Sequence, residues 1–220
     1  MTTVKAFAFN PYQVNSYVIS DETKECIIID GACGNKEEFN KLDKYIQLEG
    51  LKPVMLVNTH AHIDHIIGNF TLCKNYSIPL AAHKDCVRFL THATVFAETF
   101  GFEMEAVKQI DIFLSEDVPL TFGNTTLKIL ETPGHADGSV CFYNEKDKYV
   151  VTGDVLFNQS IGRTDLKTGN YDKLQESIWS KLFTLSDETD VLPGHGPKTS
   201  IGFEKANNPF VAIGRESFEL

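Results

Sequence analysis

The chain has 220 residues, 42% of them apolar and 23% charged, which excludes intrinsic disorder and provides enough apolar side chains for a core. Thirty acidic residues against 20 basic ones give a formal net charge of -10. This charge, without any basic block, disfavours nucleic acid and anionic membranes as partners. No apolar run reaches the roughly 18 residues of a membrane span, and the N-terminus lacks the pattern of a secretory signal, so we expect a cytoplasmic protein.

The first part of the chain predicts three strands, followed by alternating helices and strands. Apolar alternation and turn residues mark the strands, and apolar residues at helical spacing mark the helices. The predicted strands are 4–9, 15–20, 26–30, 54–59 and 80–82, and the predicted helices are 36–49, about 64–75 and 84–90.

The segment 92–116 is open to more than one interpretation. It contains Phe96, Phe100, Phe102 and Phe113 but has no clear period. It predicts a helical insert, a lid over a site, or side chains packed in the core.

The second half of the chain repeats the order of strands followed by a helix. Strands are predicted at 125–131, 139–144, 148–152 and 190–192, and Asn170 is placed to cap a helix that carries Tyr171, Leu174, Ile178 and Leu182. No linker rich in Gly, Ser or Pro interrupts the chain. We therefore expect one α/β domain over 1–220, with two sheets packed face to face and helices outside.

Metal-ligating residue types cluster in the segment Thr59-His60-Ala61-His62-Ile63-Asp64-His65, directly after a predicted strand. Imidazole nitrogen and carboxylate oxygen suit zinc, iron or manganese, whereas calcium and magnesium prefer oxygen alone. Four donors so close together crowd a single ion. Side chains that alternate in direction along an extended turn can instead address two adjacent ions.

Three further candidate ligands follow predicted strands at sharp turns. His135 and His195 each follow a Pro-Gly pair, and Asp154 follows Thr152-Gly153. Together with the cluster they complete two donor sets. We predict that one ion is held by His60, His62 and His135, that a second is held by Asp64, His65 and His195, and that Asp154 bridges them.

No cysteine belongs to this set. The five cysteines are scattered and never form a Cys-x-x-Cys pair, which indicates reduced thiols packed as small apolar residues. A metal site without thiolates and with an open coordination position is typical of a hydrolytic centre rather than a structural zinc site.

In this order and at these separations, the histidine cluster, Thr132-Pro133-Gly134-His135, Thr152-Gly153-Asp154 and Leu192-Pro193-Gly194-His195 resemble the metallo-β-lactamase fold superfamily. Within it, they are similar to the glyoxalase II-like hydrolases. The resemblance runs from about Asn15 to Phe210. It implies a four-layer αβ/βα sandwich with the metals at one edge of the sheets, and it implies the same ligand residues.

Departures from the family pattern refine this resemblance. The common zinc β-lactamases have a cysteine where this chain has Asp154 and lack a histidine at position 65, so antibiotic hydrolysis is not expected. Full-length glyoxalase II enzymes carry a helical domain after the last metal histidine, for which 196–220 is too short. The chain looks like the short glyoxalase II-like hydrolases, which share its Gly162-Arg163-Thr164-Asp165 and Asn208-Pro209-Phe210 segments. We expect no C-terminal glutathione-binding helical domain.

The resemblance implies hydrolysis of a thioester such as a hydroxyacylglutathione. We predict two divalent ions, as zinc with iron or manganese as alternatives, and a bridging hydroxide that attacks the thioester carbonyl. Asp64 is the predicted catalytic residue, which orients the hydroxide as well as binding metal. Arg163 is the predicted substrate-binding residue, through a bidentate contact with a carboxylate. A local pair between Arg163 and Asp165 is the alternative.

Other functions remain open at this point. Persulfide dioxygenases share the histidine cluster and bind one iron through a set that corresponds here to His60, His135 and Asp154. Lactone hydrolysis is a further alternative, and a non-enzymatic metal-binding module is another. In each enzymatic case the partner is a small molecule, a thioester or ester for the hydrolases. The oligomeric state is not predicted.

Overall fold

The computed structural model describes residues 1–212, in which two six-stranded sheets pack face to face between outer helices. The part of the predicted domain at 213–220 lies outside the described residues. Because helices cover both outer faces, the layers run helix, sheet, sheet, helix, as the resemblance to the metallo-β-lactamase fold implies.

The first sheet has the strand order β1-β2-β3-β4-β5-β6. Its strands are β1 (Thr3–Phe9), β2 (Val14–Ser20), β3 (Glu25–Ile29), β4 (Lys52–Val57), β5 (Leu80–His83) and β6 (Ile112–Leu114). The first three are antiparallel, and from β3 onward neighbouring strands are parallel. Parallel neighbours need crossover connections, which place helices on the outer face of this sheet.

The helices that follow these strands are α1 (Lys36–Glu49), α2 (Ile63–Ile66), α3 (Asn69–Tyr76), α4 (Val87–Leu90) and α5 (Ala93–Thr99). The prediction of one continuous helix over about 64–75 is wrong, because α2 and α3 are two separate helices. The chain breaks at Gly68, whose backbone N–H donates to the Gly31 carbonyl at 2.7 Å. A Cβ atom at Gly68 would collide with the carbonyl oxygen of Cys33, so this close approach requires glycine.

The second sheet has the order β14-β13-β10-β9-β8-β7. Its strands are β7 (Leu120–Phe122), β8 (Thr125–Glu131), β9 (Val140–Asn144), β10 (Tyr149–Gly153), β13 (Asp190–Pro193) and β14 (Thr199–Ser200), while β11 (Leu156–Phe157) and β12 (Ser160–Ile161) form a separate hairpin. The outer helices are α6 (Tyr171–Ser177), which continues into a π-helical turn at Ile178–Leu182, and α7 (Ile201–Asn207).

Alternation along the strands divides the core between the layers. Ile27 and Ile29 of β3 lie in the apolar cluster between the two sheets, whereas Cys26 and Ile28 lie in the cluster beneath α1. Successive side chains of a strand point to opposite faces, so a strand buried on both faces is apolar throughout. All five cysteines are free and buried, as predicted.

The segment 92–116 forms the helix α5 and the edge strand β6. Ala93 and Ala97 are buried beneath it, but Phe96, Phe100 and Phe113 are exposed, so core packing is wrong for these three. Phe102 is partly buried against the cluster around α2, α4 and α5. Within 1–212, no helix is long and apolar enough to cross a lipid bilayer.

Candidate metal centre

The ends of four strands and one short helix bring the predicted ligands to one edge of the two sheets. His60 follows β4, His135 follows β8, Asp154 follows β10 and His195 follows β13. Asp64 and His65 lie on α2, and His62 precedes it. All seven predicted metal ligands therefore meet at one place.

Two groups of ligand atoms lie side by side in this cluster. The first metal position is defined by His60, His62 and His135, and the second by Asp64, His65 and His195; within each, the ligand atoms lie within 4.8 Å of one another. In the first, His135 Nε2 and His62 Nδ1 are 2.9 Å apart. In the second, His195 Nε2 lies 3.5 Å from Asp64 Oδ2. These are separations at which three donors can converge on one ion.

Asp154 lies between the two positions. Its Oδ1 is 3.3 Å from His65 Nε2, and its Oδ2 is 3.6 Å from His135 Nε2 and 3.4 Å from His195 Nε2. One carboxylate thus faces ligands of both positions, which is the placement a bridging ligand requires.

Two buried polar atoms of the centre have no hydrogen-bond partner, His60 Nε2 and Asp154 Oδ1. An unsatisfied buried polar atom costs about 1–3 kcal/mol, and more when it is charged, so each needs an explanation. A metal ion supplies it, because one atom belongs to the first metal position and the other to the bridging carboxylate. The donor set of five imidazoles and two carboxylates fits divalent ions such as zinc, iron or manganese.

Asp30, at the end of β3, orients part of this centre and was not predicted as a functional residue. Its Oδ2 lies 2.9 Å from His65 Nδ1 and accepts from Thr59 Oγ1 at 2.7 Å, while its Oδ1 accepts from the Thr59 N–H at 2.8 Å. Thr59 Oγ1 in turn lies 3.1 Å from His60 Nδ1. The backbone of Asp30 has a φ of 59°, in the left-handed region that aspartate adopts more readily than most residues. The only signal in the sequence is an aspartate that ends an apolar strand.

Backbone carbonyls orient two further ligands. His135 Nδ1 donates to the Arg163 carbonyl at 2.8 Å, and His195 Nδ1 donates to the Tyr12 carbonyl at 2.9 Å. Each bond fixes the tautomer of the ring and leaves Nε2 free to bind metal.

The side chain of Arg163 is engaged elsewhere. Its Nε and Nη2 donate to the two carboxylate oxygens of Asp165 at 2.7 and 2.6 Å. The local pair between Arg163 and Asp165, the alternative predicted from the sequence, is thus present. The group of Arg163 that contacts the metal centre is its backbone carbonyl, which accepts from His135 Nδ1. A substrate contact by its guanidinium stays a prediction.

Burial and neighbouring charges shift the pKa values of the histidines in opposite directions at the two metal positions. In the first, burial lowers the pKa of His62 to about 3 and also lowers the pKa values of His60 and His135. In the second, burial opposes the charged form, but hydrogen bonds to Asp154 and Asp64 raise the pKa of His195 to about 9. The first set is therefore neutral at physiological pH, as a metal ligand must be.

Sterics explain why glycine precedes His195 in the Pro193-Gly194-His195 turn. A Cβ atom at Gly194 would collide with Asp154 Oδ1, so only glycine lets the chain after β13 pass the Asp154 carboxylate.

The metallo-beta-lactamase superfamily domain matches residues 9–195, and the chain belongs to this superfamily. The probable metallo-hydrolase YqgX of Bacillus subtilis is 39% identical over 204 residues, which cover 91% of this chain and 93% of that protein. The hydroxyacylglutathione hydrolase GloC of Haemophilus influenzae is 33% identical over 207 residues, again 91% and 93% of the two chains. The predicted fold and superfamily are confirmed.

Solved structures agree with this assignment. The BLEG-1 B3 metallo-beta-lactamase superposes with a TM-score of 0.87 at 36% identity, covering 95% of this chain and 99% of that one. The di-iron-bound form of TTHA1623 has a TM-score of 0.84 at 32% identity, with 94% and 100% covered. ETHE1 from Myxococcus xanthus has a TM-score of 0.77 at 27% identity, with 96% and 84% covered. The chain is a metal-dependent hydrolase of this superfamily.

Proposed function

We propose that this hydrolase cleaves a thioester, with a hydroxyacylglutathione as the reference compound. The observation that carries the proposal is the position of Asp154 between two donor sets of three residues each. A single iron would need only part of this arrangement. The similarity to a protein named hydroxyacylglutathione hydrolase supports the same substrate class.

Two divalent ions, when bound, supply a water of lowered pKa and polarise the substrate carbonyl. Zinc is the ion we propose, with iron or manganese as alternatives. The residues of both positions would hold the ions, and Asp154 would bind both. In the hydrolysis, water adds its oxygen to the carbonyl carbon, the C–S bond breaks, and the thiol leaves with a proton.

Asp64 is the residue we propose to orient the attacking water. The charge of His65 and a hydrogen bond from His195 outweigh its burial and lower the pKa of its carboxyl, so it is ionised at neutral pH and accepts a hydrogen bond. Its backbone is held as well, because Asn10 Nδ2 donates to the Asp64 carbonyl at 2.9 Å. The acidic chain, with a net charge of -10, is proposed to act in the cytoplasm as a single domain.

The test is hydrolysis of S-lactoylglutathione by protein whose metal content has been measured. We expect turnover with about two ions per chain, and Asp154→Asn should lower both the metal content and kcat by at least about tenfold. Glu188→Gln, a change at a surface residue, is the matched control and should change neither. Full turnover and metal content in Asp154→Asn would contradict the proposal.

Persulfide oxidation is the second candidate, because ETHE1 from Myxococcus xanthus has a similar structure. One iron per chain and oxygen consumption on glutathione persulfide, without thioester cleavage, would favour it. The same preparation should be assayed with a lactone. A β-lactam should also be assayed, since the similar BLEG-1 structure is called a B3 metallo-beta-lactamase. Cleavage of only one of these compounds would identify the alternative substrate class.

A further inference from the structure

Aromatic side chains surround the metal centre on two sides. Phe89 meets the ring of His62 edge-on at a centroid distance of 5.5 Å, and Phe157 meets His195 at 6.1 Å. Tyr12, whose carbonyl holds His195, lies with its ring 5.5 Å from Phe102 and 6.5 Å from Phe100. We call these five residues, Tyr12, Phe89, Phe100, Phe102 and Phe157, the aromatic rim.

The outer part of the aromatic rim is open to solvent. Tyr12 is 45% exposed and Phe100 is 44% exposed, although each contacts apolar neighbours. Phe102 is partly buried, and it packs against both the ring of Tyr12 and the apolar cluster around α5. Exposed aromatic side chains continuous with a metal site form a surface that an apolar ligand can cover.

The charges near the aromatic rim do not favour an anionic ligand. Arg88, next to Phe89, is paired with Asp137, and Arg163 is paired with Asp165; these are the two arginines among residues 1–212. The segment 92–107, which carries Phe100 and Phe102, contains three glutamates and no lysine or arginine; the neighbouring Lys74 is paired with Glu105, and Lys108 is paired with Asp111. Such a segment repels the carboxylates of a peptide thiol such as glutathione.

We propose that the aromatic rim binds an apolar chain of the substrate, so that the preferred substrate is a thioester with an apolar acyl or thiol part. This inference rests on the proposed thioester hydrolysis. An apolar chain covers the exposed rings while the thioester carbonyl faces the metal positions, and each buried methylene group adds to binding.

The test compares thioesters that have long or short apolar parts with an anionic thioester. Octanoyl-N-acetylcysteamine and acetyl-N-acetylcysteamine vary the acyl side, and S-hexyl thioacetate varies the thiol side; S-lactoylglutathione is the anionic reference. We expect one of the two long-chain thioesters to exceed acetyl-N-acetylcysteamine in kcat/KM by at least about tenfold, which also shows which side of the thioester meets the rim.

The variant Phe100→Ala should lower kcat/KM for the preferred long-chain thioester by about tenfold and change it by less than about twofold for acetyl-N-acetylcysteamine. Phe203→Ala is the matched control, because Phe203 is 41% exposed. It lies beside the start of β13, away from His195, since the neighbouring Gly202 N–H donates to the Asp187 carbonyl. This control should leave all four values unchanged.

The outcomes separate the two proposals. If no thioester is cleaved, the proposed function fails. If S-lactoylglutathione is cleaved as fast as the long-chain thioesters, or Phe100→Ala lowers kcat/KM equally for long and short substrates, thioester hydrolysis stands and the apolar preference is overturned. Sedimentation of both proteins adds a further check. A dimer of the wild type that Phe100→Ala dissociates would assign the surface to a second copy instead and overturn the inference.

Discussion

The carboxylate of Asp30 lies 2.9 Å from Nδ1 of His65, and both side chains are buried. His65 belongs to the second metal position, so this contact orients the ring with its Nε2 toward Asp154, at 3.3 Å, and Asp64, at 3.8 Å. The same carboxylate holds Thr59, the residue before His60. One aspartate thus connects the end of β3 to ligands of both metal positions.

Asp30→Asn should weaken metal binding. The amide has only one oxygen for the four contacts that the carboxylate now makes with Asn58, Thr59 and His65, so His65 and Thr59 lose part of their orientation. Substitution of a residue that hydrogen-bonds to a metal ligand typically lowers metal affinity by about 10–100-fold. Titration with a competing chelator measures the loss. The surface variant Asp117→Asn is the control, and equal affinities in the two variants would contradict this role of Asp30.

Removal of the metal should lower the melting temperature. Binding to the native state stabilises a protein by RT ln(1 + [L]/Kd), which is about 4 kcal/mol when the ligand concentration is 1,000 times Kd. Chelation would also leave the carboxylates of Asp64 and Asp154, which both lie beside His195 Nε2, without an ion between them. Thermal unfolding before and after chelation, with zinc added back, measures the effect. A melting temperature that chelation leaves unchanged would argue against loaded metal positions.

The candidate ligands can be chosen from the sequence because His60, His135, Asp154 and His195 each follow a strand, and the other three belong to the same histidine cluster as His60. The turns before His135 and His195 combine proline and glycine, and the glycine at 194 is required by the space beside Asp154. Residue type, position after a strand and the family resemblance all point to the same seven side chains. No knowledge of long-range contacts is needed for this step.

Features that depend on contacts between distant segments are harder to predict. Asp30 meets His65 across 35 positions, and the break at Gly68 depends on the carbonyl of Gly31. The strands β6, β7 and β14 have two or three residues each, too few for a periodic signal. The exposure of Phe100 likewise follows from the position of α5 rather than from composition.

Glu204 should be a major contributor to stability. Its carboxylate is fully buried and accepts from Thr199 Oγ1 at 2.6 Å, Asn208 Nδ2 at 2.8 Å and the Gln159 N–H at 3.0 Å. Glu204→Ala would take the acceptor from the buried Thr199 hydroxyl and from one N–H of the buried Asn208 amide, at about 1–3 kcal/mol each. We expect the free energy of unfolding to fall by at least about 2 kcal/mol in urea titrations.

The matched control for this change is Glu188→Ala, since the Glu188 carboxylate is largely exposed in its pair with Lys148. Glu188→Ala should lower the free energy of unfolding by less than about 1 kcal/mol. Gln159 belongs to the turn of the β11–β12 hairpin, which leads to the carbonyl that holds His135. Glu204→Ala should therefore also reduce metal affinity, and a variant as stable as the control would contradict this assignment.

The buried thiols should make the protein sensitive to alkali. Burial raises the pKa of the Cys141 thiol from about 9 to about 12. Above the pKa of the unfolded chain, the unfolded state releases a proton that the native state keeps, so stability falls as the pH rises from about 9 to about 12. Each such cysteine contributes a slope of about 1.4 kcal/mol per pH unit. Urea unfolding at about pH 8 and about pH 10.5 should show a smaller loss for Cys141→Ala than for the wild type. Equal losses in the two proteins would show that Cys141 does not keep its proton in the folded state.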